Sequence, residues 1–397
     1  MMREGERRVA LTGIGIVATG AIGRDAFWQW LTREHDEPVK VFLDGFDATE
    51  WMSRKDVDRT DPYIHYAVAA SQLAVDDAGG LSTDRDRTGV ILGNVFAALG
   101  TLEKQLDGFA RRGASAVSPF LSAIVSANSC SAQVARHHGI RGQVQTIAGA
   151  CAGGTYAVAD AASLIAHGEV DAMLAGGTDG PVVPAMQASF DNLRVRASGG
   201  WVRPFDRRRT GTEFVAGAAV VVLEAYDVAV ARGAHIYAEI AGAAKTNDAG
   251  SMISPAGPDG LACMRLALTD AGVAPADVAH VNAHGTGTRS NDSVESRNLM
   301  TLFGPCGPPV TSVKAVTGHA LGAAGAFDVA AACLSIEHHL LPPTCIDFEA
   351  DPEIEIDVVA GSPRPWQPGP VLSSSFGFGG QNGCIVLLPA GWRHSEH

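Results

Sequence analysis

The stretch IAGACAGGTY, residues 147–156, sets Cys151 among small residues where a β-branched strand pattern gives way to an alanine-rich helical one. A thiol at such a turn is either packing or a nucleophile. A helix N-terminus favours negative charge, so the turn is expected to pull the thiol below its ordinary pKa of about 8.5. The unpaired N–H groups of the same turn could also hold an oxyanion. Three more stretches carry reactive residue types. In VNAHGTGTRSND, His284 follows an apolar strand pattern and precedes Gly285 and Gly287. Thr286, Thr288, Asn291 and Asp292 crowd the same turn, and a loop so dense in small polar groups reads as a binding loop. In SVKAVTGHALGAAGAFDVAAACL, Lys314 is expected to end a strand and His319 to start a Gly/Ala-rich helix. Lys314 is either a surface charge or a buried amine. A buried amine needs a carboxylate, and Asp328 on the following helix is the candidate. In SSSFGFGGQN, Phe376 and Phe378 alternate with glycines. This is either a turn between strands or a mobile gate whose N–H groups face a ligand.

Short β-branched runs alternate with alanine-rich stretches along the whole chain. Strands are expected at RRVALTGIGIV, TGVILGNV, VQTIAGA, AMLAGGT, AAVVVLEA, IYAEIAGAA, VAHVNAH, VTSVKAV, GPVLSSSFGFG and GCIVLL. Helices are expected over 61–79, 151–168, 259–272 and 318–338. Apolar strands between helices argue for an α/β protein whose strands, VQTIAGA included, are covered on both faces. The opening strand-then-glycine pattern returns at AHIYAEIAGAAKTNDAG, which divides the chain into halves 1–235 and 236–397. The thiol, the two imidazoles and the amine all fall at strand ends or helix starts, where ligand sites of α/β sheets converge.

Of 397 residues, 46% are hydrophobic and 18% charged, enough apolar matter for a large core and a subunit interface. The net charge of −13 argues against a general nucleic-acid binder. RVRASGGWVRPFDRRRTG is a local basic cluster, read either as a solvated loop or as a docking site for an acidic partner. The N-terminus lacks a signal-peptide pattern and the longest apolar runs are too short to span a bilayer, so a cytoplasmic protein off the membrane is expected. The seven cysteines are scattered without CxxC pairs, which points to buried reduced thiols and no metal site.

As a set, ACAGG, AHGTGTRSND, SVKAVTGHALGAAG and SFGFGGQN resemble, in order and spacing, the β-ketoacyl-acyl carrier protein synthases (ketosynthases) of type II fatty acid and polyketide assembly. RPFDRRRTG, AGGTD and SPAGPDG resemble their supporting segments. The resemblance implies a thiolase-like fold, two pseudo-repeated α/β halves in a five-layer αβαβα arrangement, as a homodimer or a heterodimer with a homologous chain-length factor. It implies that Cys151 takes an acyl chain from an acyl carrier protein. Malonyl carrier protein then loses carbon dioxide and its carbanion attacks the thioester. His284 and His319 would donate to the malonyl carbonyl, and Lys314 would orient the site. The N–H groups of Cys151 and Phe378 would form the oxyanion hole, with Phe376 beside the gate. Thr286 and Thr288 would contact the phosphopantetheine arm, with Asp328, Asn382 and Asp292 in support. No cofactor beyond that carrier-borne arm is implied.

Departures from the family pattern point to a specialised, polyketide-type enzyme. Gly153 replaces a hydroxyl residue. Val215, Ala216, Gly217, Ala218 and Ala219 replace a Gly-Glu-Gly-Ala-Gly run. Ile253 replaces a threonine and Asp328 a glutamate. Three other readings compete with this one. A non-catalytic chain-length-factor-like partner would lack the cysteine. A nucleotide-dependent oxidoreductase rests only on GIGIVA, residues 13–18. A biosynthetic thiolase would use a second cysteine near the C-terminus, and Cys384 is poorly placed for it.

Overall fold

The structure is a computed structural model that describes residues 6–81, 84–253, 258–305 and 307–392. Cys306 and the first four residues of SPAGPDG lie outside the described residues.

Ten strands carry the architecture. They are β1 (Val9–Ala18), β2 (Thr88–Gly93), β3 (Val144–Ile147), β4 (Ala172–Asp179), β5 (Gly217–Ala225), β6 (Ala238–Asn247), β7 (His280–Asn282), β8 (Val310–Thr311), β9 (Val371–Gly377) and β10 (Gln381–Pro389). Their order across the sheet is β3-β2-β4-β5-β1-β6-β10-β9-β7-β8. Moving outward from β1, the pairings run antiparallel to β5, antiparallel to β4, parallel to β2 and parallel to β3. Outward from β6 the same succession recurs through β10, β9, β7 and β8. The two sets therefore have one topology, and they join where Val9–Leu11 pairs with Ala238–Ile240.

The helices fill three further layers. Helix α1 (Pro62–Asp77) packs on β1, β4 and β5, and α3 (Pro258–Ala271) on β6 and β10. Between the two sets lie α2 (Gly153–Ala166) and α5 (Ala324–His338), each touching strands of both. The layering is αβαβα. Sequence explains the central pair. Every residue of α5 from Ala324 to Ile336 is buried, as expected for a helix that is apolar all round. The helices also approach too closely for larger side chains. A Cβ on Gly325 would stand 2.0 Å from the Thr155 hydroxyl oxygen. Outer α1 starts where a helix-starting signal stands in the chain: Pro62 occupies the first turn and the Asp61 carboxylate accepts the Tyr63 N–H.

Three local expectations are corrected. β3 is the sheet's outermost strand on its side and is half-exposed rather than covered, because nothing pairs beyond it among the described residues. Lys314 opens a four-residue helix, Lys314–Thr317, since the strand before it stops at Thr311. His319 precedes α5 by five residues in an extended bridge to Phe214, because Gly318 and Leu321 both take positive φ there. Among the described residues no helix is long and apolar enough to cross a membrane.

Candidate active site

Cys151 sits in a single 3₁₀ turn, Ala150–Ala152, between β3 and α2. Ala150 has φ 47°, a conformation that costs a residue with a side chain and that holds the turn sharp. Gly377 at the end of β9 closes over it; a Cβ there would meet the Cys151 nitrogen at 3.1 Å. The backbone N–H groups of Phe378 and of Cys151 itself face the sulfur. These are the two donors that the family resemblance assigns to the oxyanion hole.

The expectation of an acidic thiol is overturned. Burial pushes the Cys151 thiol up to about 12, and the negative charge of Asp179 adds to the rise. Lys314 and the two N–H groups pull the other way without prevailing. The resting sulfur is therefore a neutral thiol, and its reactivity should follow the small thiolate fraction. Alkylation of the Cys151 peptide by iodoacetamide should accelerate about tenfold per pH unit between about pH 6 and pH 9. A plateau near neutrality, read by peptide mass spectrometry, would show a stabilised thiolate instead.

His284 stands just past the end of β7. Its loop is held by Glu295 on α4 (Arg289–Phe303), whose carboxylate accepts the N–H groups of His284 at 2.7 Å and Gly285 at 2.8 Å. The Ser374 hydroxyl donates to the same carboxylate at 3.0 Å. Burial pushes Glu295 up to about 7. Asp292, one turn earlier, accepts the N–H groups of Phe205 at 2.8 Å and Gly287 at 3.2 Å. Burial raises it to about 6. Thr288 caps α4 by accepting the Asn291 N–H, and its hydroxyl lies 2.9 Å from that of Thr286. The His284 Nδ1 atom is buried with no partner within the protein. Burial, then the charges of Lys314 and His319, hold the ring well below the usual imidazole range.

His319 is fixed from both sides. Its N–H donates to the Glu213 carbonyl at 2.7 Å and its carbonyl accepts the Val215 N–H at 3.1 Å. The Nδ1 atom accepts the Leu321 N–H at 3.1 Å, which leaves the proton of the neutral ring on Nε2. Burial and then Lys314 hold this imidazole down at about 3. The two rings meet edge to face with centroids 5.4 Å apart.

Lys314 is a buried amine, not a surface charge. Its Nζ lies 2.9 and 3.2 Å from the two Asp328 oxygens, with both side chains 1% exposed. Burial pushes Asp328 up to about 6 against the pull of Lys314. Truncating Lys314 to alanine strands that acid, so a loss of about 3–5 kcal/mol is expected in urea unfolding. Replacing both partners with apolar residues should recover most of it.

One cavity of about 700 Å³ gathers these groups. Cys151, His284 and His319 line it together with Thr286, Thr288, Phe376, Phe378 and Asn382. Lys314, Asp328 and Asp292 are not among the residues that line it. The cavity reaches the surface at Met252 and Ile253, which are exposed. The Asn382 amide donates to Asp248 at 2.6 Å and to Thr246 at 3.3 Å, bracing the gate segment against β6.

Several supporting residues are not evident from sequence. Glu295 lies three residues beyond Asp292 on α4, on a buried face whose residues are polar apart from Leu299, so no apolar period marks it. Asp179, at the end of β4, accepts N–H groups from Val95, Phe96 and Gly322 and so ties the first strand set to the segment after His319. Burial raises it to about 7. The basic cluster, in contrast, is largely consumed internally. Arg196 pairs with Asp191 and Glu213, Arg203 with Asp347, Arg207 with Glu349, Arg208 with Asp206, and Arg209 with Asp351. In the Val215–Ala219 run, Ala216 and Ala218 pack in an apolar core, and the buried cation Lys314 is paired with Asp328. Among the described residues, no group of three or more His, Cys, Asp or Glu side chains could hold a metal ion.

Known proteins resemble this chain along nearly its whole length. The family model for the β-ketoacyl synthase N-terminal domain matches residues 34–229, and that for the C-terminal domain matches residues 237–346. A 3-oxoacyl-[acyl-carrier-protein] synthase 2 from Synechocystis is 35% identical, covering 96% of this chain and 98% of its own. A putative polyketide beta-ketoacyl synthase 1 from Streptomyces cyaneus is 36% identical, covering 97% and 99%. Among solved structures, the ishigamide ketosynthase/chain length factor superposes with a TM-score of 0.91 at 32% identity, over 97% of this chain and 100% of that one. A type II polyketide ketosynthase in complex with its acyl carrier protein gives 0.88 at 29%, over 97% and 100%. Motifs, doubled sheet topology and full-length similarity converge: this chain belongs to the β-ketoacyl synthase family and is a ketosynthase, an acyltransferase of thiolase-like fold.

Proposed function

We propose that the chain joins an acyl group held on Cys151 to malonyl carrier protein in a polyketide-type pathway. The observation that carries this reading is the shared cavity, which sets the first half's sulfur beside the second half's two imidazoles and opens to the surface.

The sulfur attacks the acyl-pantetheine thioester, the tetrahedral oxyanion is held by the N–H groups of Cys151 and Phe378, and the pantetheine leaves as its thiol. The Cys151 proton passes to that leaving sulfur, which accounts for a resting thiol rather than a thiolate. Malonyl carrier protein then enters past Thr286 and Thr288. Neutral His284 and His319 donate to its thioester carbonyl as the carbon–carboxylate bond breaks and carbon dioxide departs. The enolate carbon attacks the acyl thioester, the bond to Cys151 sulfur breaks, and the sulfur takes up one proton. Buried imidazoles suit this task, because a neutral donor does not compete by holding a ground-state carboxylate.

The partners follow from the same reading. An acyl carrier protein delivers both substrates. A second ketosynthase-like chain, identical or homologous, covers the open β3 edge, whose unpaired backbone groups invite a further strand. A chain-length-factor role on its own is not favoured, since the thiol and both imidazoles line one cavity. The test is product formation: incubation with acyl and malonyl carrier proteins should release carbon dioxide and give a β-ketoacyl carrier product two carbons longer. Acyl exchange without carbon dioxide release would contradict the condensation.

A further inference from the structure

One wall of the cavity is an extended segment, Thr210 to Phe214. Alternate residues of an extended chain face the same side. Thr210, Thr212 and Phe214 all line the cavity, while Glu213 turns away to pair with Arg196. The segment is held firmly. The Thr212 N–H donates to Val195 and its carbonyl accepts the Ala197 N–H, both at 2.8 Å. Phe214 bridges to His319, and its ring stacks on Phe190 with centroids 3.8 Å apart. The wall thus passes from an exposed threonine through a buried one to an aromatic plate beside the catalytic imidazole.

Thr212 is the anomaly. It is 2% exposed, and its hydroxyl has no hydrogen-bond partner in the protein. A buried hydroxyl left unpaired carries a desolvation cost that a native fold rarely leaves unanswered. The hydroxyls of Thr286 and Thr288, by comparison, already bond to each other. Thr210 is engaged too, accepting the Ser198 N–H at 2.9 Å. The geometry points to Thr212 as a specificity-determining contact for an amide of the pantetheine arm, a conclusion that rests on the ketosynthase reading above. A threonine hydroxyl can donate to an amide carbonyl or accept from an amide N–H. An amide threading between Phe214 and the Thr286–Thr288 loop would satisfy it.

The test compares two thioesters of one acyl group, acyl-pantetheine and the amide-free ethanethiol ester, as loading substrates for Cys151. With Thr212→Val, which keeps the shape, KM for acyl-pantetheine should rise about three- to tenfold with little change in the maximal loading rate. Loading from the ethanethiol ester should be unchanged. Thr212→Ser should restore the pantetheine value. The melting temperature of Thr212→Val should not fall, since no hydrogen bond within the protein is removed. An equal loss with both thioesters, or no loss with acyl-pantetheine, overturns the assignment. Failure of the wild-type chain to load from either ester would instead sink the ketosynthase reading beneath it.

Discussion

Cys151→Ala should abolish condensation, lowering β-ketoacyl product formation by on the order of 10⁴-fold or more, because the covalent route is removed and not merely slowed. The replacement is small and the turn around it is built by other residues. Ala150 supplies the positive φ and Gly377 the close approach. The fold should therefore survive, with a melting temperature within a few degrees of wild type. Malonyl decarboxylation should also survive, because His284 and His319 come from separate loops tied down by Glu295 and Leu321. A variant that still forms product would show that the sulfur is not the acyl carrier. A variant that loses decarboxylation as completely as condensation would show that the two steps are not separable as the cavity geometry implies.

His319→Ala should divide the two half-reactions in the opposite sense. Removing one preorganised donor to a developing oxyanion costs about 10²–10³ in rate, so malonyl decarboxylation should fall by that factor. Acyl loading, assigned in the proposed mechanism to the N–H groups of Cys151 and Phe378, should change only a few-fold. The protonation state sharpens the expectation. Burial holds His319 at about 3, so above that pH the ring is neutral, and the Leu321 N–H on Nδ1 keeps the proton on Nε2. Decarboxylation by the wild-type chain should accordingly show no histidine titration between about pH 5 and pH 8, although free imidazole titrates there. Equal losses in loading and decarboxylation, or an inflection near pH 6.5 that disappears in the variant, would contradict the assigned role.

The residues that meet in the cavity were legible because each stands where an element begins or ends. Cys151, His284, His319 and the Phe376–Phe378 gate all lie at such junctions, marked in the sequence by glycines beside strand patterns. The order of the strands was less so, since pairing depends on contacts between distant segments. The returning strand-then-glycine pattern hints at two halves, but the strand order within each, and the join of Val9–Leu11 to Ala238–Ile240, are not written in it. Residues that position the site were harder still. Helix α4 buries a face of Asn291, Asp292, Glu295 and Ser296, so a search for apolar periodicity passes over it. The sulfur's acidity differs from the sequence expectation for a related reason. The helix start is visible in the sequence, whereas the depth of burial and the neighbouring Asp179 charge belong to the assembled molecule. The basic cluster shows the same limit. Its acids Asp347, Glu349 and Asp351 lie some 140 residues along the chain, out of reach of any local reading.

The most direct test of the central claim is the intact mass of the wild-type chain after incubation with acyl carrier protein charged with a single acyl group, followed by peptide mapping. The account predicts a mass increase of one acyl chain, confined to the peptide containing Cys151 and released by a thioester-cleaving nucleophile. No adduct, or an adduct carried by any of the other cysteines, would contradict it.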